Sequence, residues 1–484
     1  MAGPIGTIFD SNDATGLGDL VRAGAVSPAE LAEEAIRRVE ALNPTLNAVC
    51  IKTYEIARKT ARDPALPDGP FKGVPFLLKD LGTLWTGVPT TNACPYFKDF
   101  VATEDMEYVR RIKRLGVVLV GKSNSPELGW CIAAEPAIYG KTSNPWNTAF
   151  GPGGSSGGAA SAVAARLVPL ADGSDGGGSI RIPASHCGLV GLKPSRGRVT
   201  LAPQYADFWY GAAVFLCVTR SVRDTAHYLD GVAGRWPGDI YYSRPSHRRY
   251  ASVIERAPAR LRIAFSTKAP GGFEVHPEVA EAVKKTAKLC EDLGHRVEER
   301  DIDLDYGLFW KTFTRICAVK NATGFADMAP AIGHEVRESE VSPAIWAQIQ
   351  DGRAISGIQH SQDVDMMRLL GRKIVAETTV ADVHLLPVMR HPPRKHGYYD
   401  MYKLEPSTYT DERLGPDVAF TAPFNVSGQP AISLPLHLSS DGLPIGMQFV
   451  GGESDEATLL ALAAQIERAT PWRHRLPPVH ASAN

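Results

Sequence analysis

With 484 residues, the chain is about three times the usual domain length of roughly 150 residues. Its 44% hydrophobic and 22% charged content is that of an ordinary globular protein, and at this size no disulfide or metal staple is needed to complete a core. The 52 basic and 53 acidic side chains leave a net charge of −1, which argues against a dedicated nucleic-acid binder. No apolar run approaches 18 residues, so no membrane span is expected.

The opening residues, MAGPIGTIFDSNDATGLGD, lack a basic stretch followed by an apolar core, so no secretory signal is expected. Helices should fill residues 1–70. Ser27-Pro28-Ala29-Glu30 reads as a capping box with proline at the first helical position. Leu31, Ala35, Ile36, Val39 and Leu42 follow at helical spacing, and Asn43-Pro44 should stop the run. From 71 to 220, short apolar runs such as 117–120 and 168–171 suggest buried strands. They alternate with glycine-rich loops and small-residue helices, the pattern of α/β layering. Residues 261–265 suggest a further strand. Residues 277–293 suggest a helix with Val279, Val283, Thr286, Ala287 and Cys290 inward and Gly294 as its stop. The segment from about 300 to 410 is richer in aromatic, histidine and methionine residues and less regular. It reads either as a covering segment that shapes a pocket or as a peripheral helical layer packing its own aromatics. Near the end, 432–438 and 445–450 flank Ser439-Ser440-Asp441-Gly442, a hairpin signal, and a helix over 454–467 closes the chain. Seven dispersed cysteines without a C-x-x-C pair imply reduced, mostly buried thiols in a cytoplasmic protein. With no repeat or linker in view, one domain over 1–484 is expected.

Two glycine/serine runs could carry chemistry: Gly151-Pro-Gly-Gly-Ser-Ser-Gly-Gly158 and Asp172-Gly-Ser-Asp-Gly-Gly-Gly-Ser-Ile-Arg-Ile-Pro183. Glycine is entropically costly, so such runs mark tight backbone geometry or close backbone approach. Neither has the lysine or spacing of a phosphate cradle. Gly153-Gly-Ser155-Ser-Gly157 formally satisfies G-x-S-x-G, yet the proline-interrupted 144–150 before it is not the strand a nucleophile elbow requires. Lys79, by contrast, ends the apolar segment Gly73-Val-Pro-Phe-Leu-Leu. Desolvation there would lower its pKa and let a neutral amine act as a general base, unless it simply reaches solvent or pairs with Asp80.

Taken together, these segments resemble the amidase signature family. GPGGSSGGAASAVAA and GSDGGGSIRIPASHCGLVGLKPSRGRV form the core of the likeness, and GVPFLLKD, GVPTT, GKSNSPELG, YGKTSNPWN and FTAPFNVSGQPAISLP extend it over most of the chain. It is weakest from about 300 to 410, and the layout is most similar to the branch of cyclic amide oligomer hydrolases and aryl acylamidases. The resemblance implies a single large α/β domain with a mixed central sheet covered by helices on both faces. It implies a nucleophile at Ser179, a middle serine at Ser155 following a cis peptide bond, and a lysine base at Lys79: a Ser-cisSer-Lys triad forming an acyl-enzyme on a non-peptide carboxamide. It places the oxyanion hole on the backbone N–H groups of Gly176, Gly177, Gly178 and Ser179. It calls for no cofactor or metal, and for a small-molecule amide, anilide or carbamate as partner; homodimers are common among similar proteins.

The family usually carries a side chain at the position of Gly176; glycine there should loosen the loop and enlarge the space beside it. Asp175 and Arg181 are expected to form a structural ion pair, and Ser156 and Ser174 to satisfy backbone groups. Cys317, beside Phe313 and Ile316, is the pocket-lining candidate of the variable segment, while His384, His391 and His396 lack metal-site spacing and read as structural. The same triad could hydrolyse carbamates or esters. A different class of role, the glutaminase subunit of a tRNA-dependent amidotransferase, would require partner chains for activity.

Overall fold

A computed structural model describes residues 5–483; residues 1–4 and 484, the extremities of the expected domain, lie outside the described residues. Among the described residues eleven strands form one mixed sheet: β1 (Val49–Lys52), β2 (Pro75–Lys79), β3 (Val118–Ser123), β4 (Leu170–Asp175), β5 (Val190–Lys193), β6 (Val214–Thr219), β7 (Arg262–Phe265), β8 (Arg296–Glu299), β9 (Val383–Pro387), β10 (Ala431–Leu438) and β11 (Pro444–Gly451). Their order across the sheet is β1-β3-β2-β4-β6-β5-β10-β11-β9-β7-β8. β2 lies parallel between β3 and β4, so the carboxyl ends of β2 and β4 emerge at the same edge. This is where ligands of α/β sheets characteristically sit.

Side chains alternate across the sheet and fall into two separate cores. On β9, Leu385 joins one core and its neighbour Leu386 the other; on β11, Phe449 and Val450 divide in the same way. Helices cover both faces, and the fold is the single large α/β domain expected.

Local signals explain several of the helix boundaries. Ser27 and Glu30 close the capping box on the Pro28–Leu46 helix. That helix, however, runs past Asn43-Pro44 to Leu46. Pro44 lies within its last turn, and the actual stop is Asn47 at φ 48°, a left-handed residue that releases the chain. The Pro277–Asp292 helix buries the five residues expected inward and is followed by Gly294 at φ 96°. The hairpin of β10 and β11 turns over 439–443 and the closing helix spans Glu456–Ala469, both close to expectation.

Two expectations change. The second glycine/serine run is not a loop from its start, because β4 extends through Asp175 and carries Asp172 and Ser174 into the sheet. The 300–410 segment is far more regular than its composition suggested. It forms the helices Tyr306–Ile332, Pro343–Ala354 and Gly357–Thr378, then β9. Apolar residues occur on several sides of these helices because they pack on one another and on the Ala422–Ser427 helix, which blurs the one-faced pattern that identifies a surface helix. The region is a helical layer that packs its own aromatics, with Phe309 and Phe313 stacked at 5.9 Å and Tyr306 and Trp310 at 6.3 Å, and its residues also line a groove.

Candidate active site

Lys79 is the last residue of β2 and is completely buried. Its Nζ lies 2.6 Å from Ser155 Oγ and 2.9 Å from Ser174 Oγ. Burial in apolar surroundings lowers its pKa to about 7, while the charges of Asp172 and Asp175 oppose a further fall. Its own backbone N–H donates to Asp172 Oδ2 at 3.1 Å. Burial raises the Asp172 carboxyl to about 7, against the stabilising hydrogen bonds from that N–H and from Tyr108. The Lys79–Asp172 pair therefore resides in surroundings that favour the neutral form of each partner.

Ser155 follows a cis peptide bond from Gly154 and is 1% exposed, whereas Ser179 keeps 8% of its surface accessible. The two serine loops are tied together by the Ser156 N–H, which donates to the Ser179 carbonyl at 3.1 Å. Ser156 Oγ accepts from the Ser174 N–H and donates to the Ser174 carbonyl, both at 3.3 Å, as its expected backbone role requires. Ser174 departs from expectation. Its hydroxyl is a second partner of Lys79, because Asp172 and Ser174 alternate onto the same face of β4. That spacing of two along a strand was the signal for both residues.

Asp175 and Arg181 form a fully buried ion pair with Nη2 2.8 Å from Oδ1. Although burial works against its charge, the Arg181 guanidinium and the Asn425 amide hold the Asp175 carboxyl well below the usual range. Asp175 also accepts from the backbone N–H of Gly178 at 2.8 Å and of Ile180 at 3.1 Å. Arg181 reaches on to Gln448 Oε1 at 2.7 Å, Asn425 Oδ1 at 2.6 Å and the Thr421 carbonyl at 3.0 Å. The pair braces the loop between β4 and the Arg181–Cys187 helix, as expected.

One member of the expected oxyanion set differs from the others: the Gly178 N–H donates to Asp175. Among the described residues, no protein acceptor is hydrogen-bonded to the N–H groups of Gly176, Gly177 or Ser179. The expected extra space beside Gly176 is also absent. A Cβ at Gly176 would stand 2.9 Å from Trp209 Cε3 and closer still to Cζ3, so an indole ring from the 201–213 loop fills that volume.

The chain is matched by the family model described as Amidase over residues 30–460. It is 40% identical over 477 residues to the 6-aminohexanoate-cyclic-dimer hydrolase of Paenarthrobacter ureafaciens, with 96% of each chain covered. The chain belongs to the amidase signature family. The putative amidase AmiC of Mycobacterium tuberculosis (strain ATCC 25618 / H37Rv) is 36% identical to this amidase over 474 residues, covering 95% of both chains. A solved structure of 6-aminohexanoate cyclic dimer hydrolase superposes with a TM-score of 0.91 at 39% identity, covering 97% of this chain and 99% of that one. A bacterial aryl acylamidase of the amidase signature family superposes with a TM-score of 0.85 at 29% identity, covering 95% and 96%. The amidase is accordingly a hydrolase of C–N bonds other than peptide bonds.

The other expected residues of this amidase lie elsewhere. Cys317 is 0% exposed and packs within the aromatic core. A groove of about 810 Å³ in the helical layer is lined by its neighbours Thr314, Arg315 and Ala318 but not by Cys317. The helical turn directs 314, 315 and 318 to the groove and 317 away from it, so Cys317 does not line this groove. Lys79, Ser155 and Ser179 are likewise not part of that groove. His384 Nε2 is paired with the Thr378 carbonyl at 2.9 Å, His391 Nε2 with Asp417 at 2.8 Å and His396 Nδ1 with Glu135 at 2.7 Å. No cysteine is in a disulfide among the described residues, and Cys50 alone of the seven is partly exposed. No helix among the described residues is long and apolar enough to cross a membrane.

Proposed function

We propose that this amidase cleaves a small non-peptide carboxamide through an acyl-enzyme on Ser179, with Ser155 and Lys79 as its proton relay. The supporting observation is the 2.6 Å contact between a fully buried Lys79 amine and Ser155 Oγ. An amide carbonyl is a poor electrophile, so the attacking hydroxyl must lose its proton as the C–O bond forms. The Ser179 proton passes to Ser155 Oγ as the Ser155 proton passes to neutral Lys79. The carbonyl oxygen of the tetrahedral adduct takes up the negative charge, facing the N–H groups of Gly176, Gly177 and Ser179. Each such donor contributes about 3 kcal/mol of transition-state stabilisation. Collapse breaks the C–N bond, and the proton returns from Lys79 through Ser155 to the departing amine. Water then repeats the cycle on the ester, releasing the acid and restoring Ser179.

The names of the relatives support cyclic amide oligomers and aryl amides as the substrate class; the dispersed, unbridged cysteines support a reduced cytoplasmic setting, and a homodimer is the assembly this reading adds. The test is direct. The purified chain alone should hydrolyse 6-aminohexanoate cyclic dimer or a p-nitroanilide, and a fluorophosphonate probe should label it once. Ser179→Ala should abolish both. Full labelling of Ser179→Ala together with none of Ser155→Ala would transfer the nucleophile to Ser155. A strict requirement for added partner chains would favour the amidotransferase-subunit role.

A further inference from the structure

Gly176 follows β4 directly and offers one of the three unengaged N–H groups of the oxyanion loop. The volume its missing side chain leaves is taken by the Trp209 indole. Trp209 and Tyr210 both have left-handed backbone, at φ 52° and 54°. Two consecutive bulky residues in that region are unusual and persist only where their surroundings hold them. Here the next residues are anchored on both sides. Tyr210 OH lies 2.7 Å from His360 Nε2 on the Gly357–Thr378 helix, and the Gly211 carbonyl accepts from Arg196 Nε at 3.1 Å. The indole itself meets Trp130 edge-on at 5.7 Å and Phe313 edge-on at 5.9 Å. The segment leading into Trp130 also approaches the relay, since a Cβ at Gly129 would come within 3.3 Å of Ser155 Oγ.

We infer that Trp209 is the specificity-determining wall on the acyl side of the site, selecting acyl groups that are slender at the carbon next to the carbonyl. This rests on the assignment of Ser179 and of the Gly176 amide made above. If the carbonyl oxygen is received by the Gly176 N–H, the substituent on the carbonyl carbon extends beside the ring that occupies the Gly176 side-chain space. A methylene chain or a flat ring can lie against an indole face. A branch at the α-carbon would meet the indole, whose movement is restricted by its edge-on contacts with Trp130 and Phe313. The wall is aromatic, so the group it selects is apolar.

Two isomeric p-nitroanilides test this, one of hexanoic acid and one of 2-ethylbutanoic acid, which differ only in branching at the α-carbon. The ratio of kcat/KM for the straight isomer over the branched one is the readout. Trp209→Ala should lower that ratio by about tenfold or more, the scale on which a single methylene is discriminated in a fitted pocket. Trp209→Phe, which keeps an aromatic core contact, should lower it by less. A ratio within about twofold of wild type in both variants, with Ser179 still labelled by fluorophosphonate, would overturn the inference. If Trp209→Ala does not fold, an unchanged ratio in Trp209→Phe overturns it alone, and a lowered ratio there supports it. Absence of Ser179 labelling in the wild-type protein would instead overturn the nucleophile assignment, so the two failures are distinguishable.

Discussion

At the scale of single residues, the proposed relay turns on the proton of Lys79. A lysine at its ordinary pKa would be an ammonium at neutral pH and could only donate, but burial brings this one down to about 7. Because the base must be neutral, kcat/KM should rise as pH increases through about 7 and level off above it. Burial sets where that limb lies, and Asp172, where it is ionised, holds it higher because a carboxylate favours the protonated amine. Asp172→Asn removes the charge and keeps an acceptor for the Lys79 backbone N–H, so the rising limb should move to lower pH. A pH–rate profile of both proteins checks this, and a limb that stays in place would refute a tuning role for Asp172. The apolar run ending in Lys79 made desolvation one of two readings in the sequence, and the family resemblance chose between them. Ser174 was not legible there, because β4 was expected to end at Ala171 and a strand residue was read as part of a loop.

At the scale of elements, the loop between β4 and the Arg181–Cys187 helix is held in shape by Asp175, Arg181 and Asn425. Every partner in this cluster is buried, so its value lies in being complete. Removing one charge strands the other in a low-dielectric interior, a loss of about 3–5 kcal/mol. Arg181→Met should destabilise the fold by that amount in urea unfolding, and the loss of fixed geometry should lower Ser179 labelling even under conditions where the variant is folded. A cost below about 1 kcal/mol would mean the pair is dispensable. The sequence disclosed this pair, since an acid and an arginine six residues apart flank a turn. It did not disclose Asn425 or Gln448, which arrive from distant chain positions. The Trp209 contact was hidden for the same reason: a glycine announces that something approaches, not what. The long helices over 306–378 were obscured differently, by apolar residues on more than one face.

At the scale of the whole molecule, the strand order contains a seam. β1 to β6 occupy one side and β7 to β11 the other, and they meet only where β5 pairs antiparallel with β10 through Lys193–Ala431, Leu192–Ile432 and Gly191–Ser433. Two buried ion networks straddle that junction. Arg181, on the β1–β6 side, reaches Asn425 and Gln448 across it. Arg198, just after β5, pairs at 2.6 Å with Glu456 at the start of the closing helix, and Glu456 also accepts from the Ser195 N–H at 2.8 Å. One apolar core continues beneath both halves, including Phe76 of β2 and Phe449 of β11. The glycine loop after β4 belongs to the first half, while the Thr421, Asn425 and Gln448 groups that brace it belong to the second. Separation along the seam would therefore expose core and strand Arg181 at once, leaving neither half a stable alternative. Calorimetry and far-UV circular dichroism should accordingly report one coincident thermal transition, with Ser179 labelling lost at the same temperature. Two resolved transitions, with the first abolishing labelling while half the secondary structure survives, would show that the seam divides two cooperative units.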